Sequence, residues 1–567
     1  MCTSGKAQRL QLIFVTTEVA PWSKVGGLAD VMQALPPALA SRGHRVMTVA
    51  PRKADVDHVF VDHPLYCRTT DIYGSSNANT YQEAGEFPDL DLRVPGACQP
   101  QSLQCCSAAS ADQGSRSSAE DKGASHGSAG GFGATELGPG PLIFIGNDWP
   151  CAPLALRLKH CIQQAPAGSS DLMAGDAAFV SHLTASLQHA RAAFCIHNLA
   201  YQGSMPVCAF PRLCLPDAAL PALLWPLPAS RASCGEEATT SEQAQSDGRD
   251  AARSDAQADE QAAVSVNWMH AALSEYDSIC TVSPNYAREI CTDEGMACGM
   301  RHLLCSRGVS GIMNGLDTVE WDPAADEWLP AAARFHAVED AARGKAEAKR
   351  ELQMRTGLAI DPKAPLLAYV GRLTGQKGMD VLLSSLPALL NSPPRPLAEP
   401  RVHSESGAGG LQVVLLGTGE GWMERALAAL SAAFPGRAAG MPRFDELLAH
   451  VLMAAADYMI VPSRFEPCGL VAQSAARYGT IPIVTAVGGL RDFVTPEIGY
   501  QIPPFGHEDI GQAQRAAVAS LVEVVNAAVA KYGSDEHRRM QEHCLSLDLS
   551  WAKAAQEWEQ ALQRLVF

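Results

Sequence analysis

The sequence predicts an α/β protein built from two doubly wound parallel-sheet domains that face each other across a cleft. Three observations carry that prediction. The chain has 567 residues, too many for one ordinary core. Short apolar runs alternate with longer amphipathic segments, in two successive series. Loops with paired glycines, paired cations or a placed carboxylate follow directly after apolar runs, where open α/β sheets carry their ligands.

The elements follow in order. Leu10–Val15 reads as a buried strand, then a Gly-containing loop, then a helical stretch from Leu28 to Ala40. Arg45–Val49, Leu142–Ile145, Ala193–Ile196 and Ser278–Val282 read as further strands of the first series. Leu366–Val370, Gln412–Leu416, Tyr458–Val461 and Ile481–Val484 form the second. Three stretches read as solvated inserts: Gly96 to Gly140 (Ser, Gly, Ala, Gln), Ala229 to Ala262 (acidic) and Ser392 to Gly410 (Pro, Gly). Such compositions bury too little apolar surface to offset ordering entropy. The expected domains are residues 1–330, residues 331–545, and a closing helix over residues 546–567.

Composition excludes several classes. The net charge is −17, from 44 basic and 61 acidic side chains, so nucleic acid is not an expected partner. No run of about eighteen apolar residues is present, so no membrane span is expected. The 17 cysteines are scattered and contain no CxxC pair, which argues for free thiols and against a zinc site. Met1 to Arg9 has neither an apolar signal core nor a long Ser/Arg-rich transit segment. The expectation is a cytosolic protein, or a targeting segment missing from this chain.

Six loops carry candidate chemistry in the turns after strands. Lys24, Gly26 and Gly27 follow the first strand; backbone N–H groups at a helix start, with a nearby cation, suit an anion. A Gly-Gly turn alone is also what close packing asks for, and the pattern is neither GxGxxG nor a P-loop. Arg372 and Lys377 follow Leu366–Val370, five residues apart, and suit a diphosphate. Glu466 lies on a Pro- and Gly-rich loop with Cys468, Gly469 and Leu470; it is suited to sugar hydroxyls, Gly469 and Leu470 to backbone donation, and Cys468 to packing. Gly488 and Gly489 repeat the Gly-Gly turn. Asp148, after Asn147, and His197, before Asn198, stand where they can hold sugar hydroxyls.

Together these loops resemble a known family. Lys24-Val25-Gly26-Gly27-Leu28, Asn147-Asp148-Trp149, His197 to Gly203, Asn314-Gly315-Leu316-Asp317, Gly371-Arg372-Leu373, Gln376-Lys377-Gly378 and Pro462 to Leu470 are similar to those of starch and glycogen synthases. The segments Val59 to Pro64, Tyr73-Gly74 and Arg477 to Thr480 resemble the plant and algal branch. The resemblance implies a GT-B fold of two Rossmann-like domains. It implies a retaining transfer of glucose from ADP-glucose to the 4-hydroxyl of an α-1,4-glucan end, as in amylose or amylopectin. It implies no metal, no cofactor beyond the donor, no membrane, and a plastid location.

The resemblance also implies residue roles. Arg372 and Lys377 take the donor diphosphate, assisted by Lys24 and the Gly26-Gly27 turn. Asp148, His197 and Glu466 hold the glucose, and the backbone carbonyl of His197 lies near the anomeric carbon. Phe444 stacks on the base, and the helix around Trp551 crosses back to the first domain. Val25 and Val487 replace the family's usual threonines, Pro150 follows Trp149 where His or Ser is usual, and Val471 to Ala475 departs from the usual helix start. Shortened sequence between Arg52 and Asp57 and between Glu83 and Gly140 implies a first domain short of a strand and a helix. The rivals are a non-catalytic glucan-binding scaffold and a transferase using UDP-glucose.

Overall fold

A computed structural model describes residues 9–20, 26–50, 140–163, 186–213, 215–226, 264–336, 338–391, 410–505 and 510–567. The three expected inserts, Lys24, and the shortened segments of the first domain lie almost wholly outside these residues.

Two parallel six-stranded sheets organise the chain. The first contains β1 (Gln11–Val15), β2 (Arg45–Val49), β3 (Leu142–Asn147), β4 (Arg191–Ile196), β8 (Ser278–Thr281) and β9 (Ser310–Gly311), in the order β2-β1-β3-β4-β8-β9. The second contains β10 (Leu366–Val370), β11 (Gln412–Leu416), β12 (Ala438–Met441), β13 (Tyr458–Val461), β14 (Ile481–Thr485) and β15 (Tyr500–Ile502), in the order β12-β11-β10-β13-β14-β15. Their central strands are buried along almost their whole length, as parallel strands covered on both faces must be. Strand order reverses between β1 and β3 and between β10 and β13, so the crevices at the carboxyl ends of those pairs are the expected ligand sites.

The expected strands are present, with ends shifted by a residue or two. A small antiparallel sheet was not expected: β5 (Ser204–Pro206), β6 (Leu224–Pro226) and β7 (Val264–Asn267), in the order β5-β7-β6. Helix Ile510–Ala530 contains one stretch, Gln512–Ala530, that is long and apolar enough by length and composition alone to cross a bilayer. It instead buries Ala517, Leu521, Val525 and Ala528 in the core of the second sheet.

The last helix, Trp551–Val566, packs on helix Gly27–Ser41 of the first half. It buries Trp551, Trp558 and Leu562 with Leu12, Leu35 and Leu39. Its buried Glu559 holds His44 Nε2 at 3.0 Å and pairs with Arg42. The two segments that join the halves run side by side, with Leu316 N–H donating to the Leu549 carbonyl at 2.7 Å.

Candidate active site

At the carboxyl ends of β3 and β4, Asn147, Asp148 and His197 form one unit. Asn147 is buried and its Nδ2 donates to the Val15 carbonyl at 3.0 Å and the Ile145 carbonyl at 3.3 Å. That orientation leaves Asn147 Oδ1 as an acceptor, so His197 Nε2, 3.0 Å away, carries the proton. Asp148 has a φ of 59°, a left-handed conformation that a non-glycine residue keeps only where its surroundings impose it. Its Oδ1 accepts from the N–H of His197 at 2.7 Å and of Asn198 at 3.2 Å.

Burial pushes the Asp148 carboxyl up to about 7, against the pull of those two N–H groups. The sign follows. An acid whose folded value is raised binds more protons native than unfolded, so its contribution to stability falls as pH rises from about 4 to 7. Asp148→Asn is therefore expected to gain about 3 kcal/mol relative to the parent between those pH values. Urea denaturation of both proteins at pH 4 and pH 7 reads it; an unchanged difference would contradict the assignment.

In the second half, two loops interlock at the reversal between β10 and β13. Arg464 on the loop after β13 forms a bidentate pair with Asp380, both bonds at 2.7 Å, and its Nη1 also donates to the Gly375 carbonyl at 2.6 Å. Gly378, with a φ of 66°, is required by close approach, since a Cβ there would lie 1.8 Å from the Pro462 carbonyl oxygen. Lys377 Nζ is thereby delivered to Glu466 Oε2 at 2.7 Å, and the Ser463 hydroxyl donates to the same oxygen at 2.8 Å. The buried Tyr369 hydroxyl donates to the Arg372 carbonyl at 2.7 Å. Arg372 Nη1 reaches the Tyr201 hydroxyl of the first half at 3.2 Å, and its Nη2 reaches Gln376 Oε1 at 3.4 Å.

Arg372, Lys377 and Glu466 thus share one end of the second sheet, and Tyr201 ties Arg372 to the His197 loop. Other expected residues behave differently. Cys468 is buried in an apolar cluster with Val282, Ile312 and Trp551, and burial pushes its thiol up to about 12. Gly469, with a φ of 86°, caps helix Leu470–Arg477, whose first N–H groups have no intrahelical acceptor. Phe444 lies exposed on the loop after β12. Lys24 lies outside the described residues.

The N–H groups of Gly488 and Gly489 are both engaged within the protein. Gly488 N–H donates to the Glu289 carboxylate at 3.0 Å, and Gly489 N–H donates to the Glu466 carbonyl at 3.0 Å. Their lack of side chains serves packing, because a Cβ would lie 2.0 Å from the Glu466 carbonyl oxygen at Gly488 and 2.2 Å from that of Cys468 at Gly489. Gly26 is similar: its N–H donates to Oε2 of the buried Glu18 at 3.0 Å. Glu18 and Glu289 were not singled out from sequence. Each is a carboxylate beside a glycine turn, a partnership that spacing does not reveal.

Comparison with known proteins gives a consistent picture. The family model described as the starch synthase catalytic domain matches residues 11–94 and 171–306, and that of glycosyl transferases group 1 matches residues 351–520. Granule-bound starch synthase 1 (chloroplastic/amyloplastic) of Manihot esculenta is 33% identical over 98% of this chain and 82% of its own length. The same protein of Solanum tuberosum is 33% identical with the same coverage. Among solved structures, the catalytic domain of starch synthase IV from Arabidopsis thaliana, bound to ADP and acarbose, superposes with a TM-score of 0.65 at 22% identity, covering 98% of this chain and 99% of that one. That likeness gives the two-sheet architecture its name, the GT-B fold.

Proposed function

The chain belongs to the starch synthase family of glycosyltransferases, and on that premise we propose that it transfers glucose from ADP-glucose to the non-reducing 4-hydroxyl of an α-1,4-glucan, with retention at the anomeric carbon. The observation that carries this reading is the cationic loop after β10. Arg372 and Lys377 sit at the strand-order reversal, Lys377 is paired with Glu466, and Arg372 is bonded to the first half through Tyr201.

The chemistry asks for that arrangement. The bond between C1 of glucose and the diphosphate oxygen breaks, and negative charge grows on the departing ADP. Arg372 and Lys377 offset that charge as it develops, which lowers the barrier more than it favours the bound donor. The glucan 4-hydroxyl oxygen attacks C1 on the face the diphosphate leaves, and its proton passes to the leaving diphosphate. Asp148, His197 and Glu466 hold glucose hydroxyls, with the His197 carbonyl beside C1, and Phe444 stacks on the adenine. Closure of the halves excludes water, so that the glucan hydroxyl reacts in its place. The starch synthase IV domain bound to ADP and acarbose supports the donor and acceptor classes. Relatives named chloroplastic/amyloplastic support a plastid location.

The test is ADP release by the full chain with ADP-glucose and a malto-oligosaccharide primer, with UDP-glucose as competitor. Primer-dependent release, abolished by Arg372→Ala and unaffected by UDP-glucose, is expected. Release no faster than in the Arg372→Ala protein, or preference for UDP-glucose, would overturn the proposal.

A further inference from the structure

Helix Pro284–Thr292 belongs to the first half, and the short helix Gly488–Phe493 to the second. They lie against each other, running in opposite directions. Ser283 caps the first helix, its hydroxyl accepting from Tyr286 N–H at 3.3 Å while donating to the Pro467 carbonyl at 2.6 Å. One turn apart on that helix stand Asn285 and Glu289, which therefore share a face.

The two helices satisfy each other. Gly488 N–H donates to both carboxylate oxygens of Glu289 at 3.0 Å. Asn285 N–H donates to Asp492 Oδ2 at 2.6 Å in return. Asn285 Nδ2 donates to Glu289 Oε1 at 2.7 Å and to the Gly488 carbonyl at 3.3 Å. Backbone donors that a helix leaves over at its start are in each case taken by an acid from the other half.

The tie continues inward. Gly489 N–H holds the Glu466 carbonyl at 3.0 Å, and Glu466 Oε2 holds Lys377 Nζ at 2.7 Å. The glycine turn has no slack against this loop, because even a methyl group on Gly488 or Gly489 would overlap the Glu466 or Cys468 carbonyl. A shift of Gly488 is therefore passed on to Glu466. We propose that Glu289 is a positioning residue for the transfer reaction: from the first half it holds the Gly488-Gly489 turn, and through that turn it sets Glu466 and Lys377 in the second. This inference rests on the roles given above to Glu466 and Lys377.

Glu289→Ala and Glu289→Gln in the full chain test it, by amide hydrogen exchange without ligand and by turnover. The glutamine keeps an oxygen for Gly488 N–H; the alanine does not. Expected for Glu289→Ala is exchange about tenfold faster at Gly488-Gly489 and across Phe465 to Gly469, as a locally loosened segment shows. Its kcat should fall about 10- to 100-fold, the cost of misplaced catalytic groups, with a much smaller change in KM for the primer. Glu289→Gln should return both readouts to near the parent. Faster exchange with unchanged kcat, or equal losses in both variants, would overturn the proposal. Should the parent itself show no turnover, the donor assignment fails separately. Exchange across Phe465 to Gly469 then decides the positioning: unchanged protection in Glu289→Ala refutes it, and loss restored by glutamine upholds it.

Discussion

Replacing Lys377 with alanine is expected to lower kcat for glucose transfer about a thousandfold, the range seen when one preorganised group aimed at developing charge is removed. Lys377 is held rather than solvated. Its ammonium is 2.7 Å from Glu466 Oε2, and the two side chains are only 19% and 11% exposed. A cation fixed before the donor bond breaks needs no reorganisation as the bond breaks, and its partial burial strengthens its field. Alanine also leaves Glu466 without its cation, so a carboxylate faces the departing diphosphate. Arg372 stays on the same loop and preserves part of donor binding, so KM for ADP-glucose should change far less than kcat. Steady-state ADP release reads both constants. Lys377→Arg should recover only part of the rate, because a planar guanidinium cannot replace a point charge at the same distance. A kcat within about threefold of the parent would reduce Lys377 to a structural partner of Glu466.

Much of the fold was legible because parallel strands covered on both faces must be largely apolar, and β1, β3, β10, β11, β13 and β14 are, with polar residues only at their ends. Where that pressure is absent, the signal is absent too. β12 is Ala-Ala-Gly-Met, and β5 and β6 are three residues long and contain proline, so no run announces them. The site divides the same way. Loops after apolar runs were legible, since open α/β sheets bind ligands there. The left-handed turn at Asp148, the service of Glu18 and Glu289 to glycine N–H groups, and the role of Gly488 and Gly489 in packing all depend on which distant backbone lies opposite. A glycine pair reads alike whether it admits a phosphate or a neighbouring loop.

Lysines show the same ambiguity with larger energetic consequences. Lys345 and Lys349 stand four apart on helix Val338–Thr356, among six other acidic and basic residues between Glu339 and Glu351. Both are buried. Lys345 Nζ donates to the carbonyls of Ala454, Ala456 and Tyr478 and to the Thr480 hydroxyl, at 2.8 to 3.1 Å. Burial pushes its amine down to about 7, with Asp457 opposing. Lys349 Nζ pairs with Asp457 Oδ2 at 2.6 Å and donates to the Tyr532 hydroxyl at 3.0 Å. Burial pulls the Lys349 amine down, but Asp457 and Tyr532 outweigh it and leave it raised. Asp457 also accepts Leu366 N–H at 2.8 Å, at the first residue of β10.

Asp457→Ala is therefore expected to cost about 4 kcal/mol, because it strands a buried ammonium and a strand-end N–H together. Replacing both partners, Asp457→Leu with Lys349→Met, should cost less than the single change, since no uncompensated charge remains. Urea denaturation of the three proteins checks it. A double variant as unstable as Asp457→Ala would mean that the Leu366 N–H bond and packing, rather than the stranded charge, set the cost. The pair sits where β10 begins, and the loop after that strand carries Arg372 and Lys377. Loss of Asp457 should thus lower the amount of folded enzyme while leaving turnover per folded molecule close to the parent, the opposite of the change at Lys377.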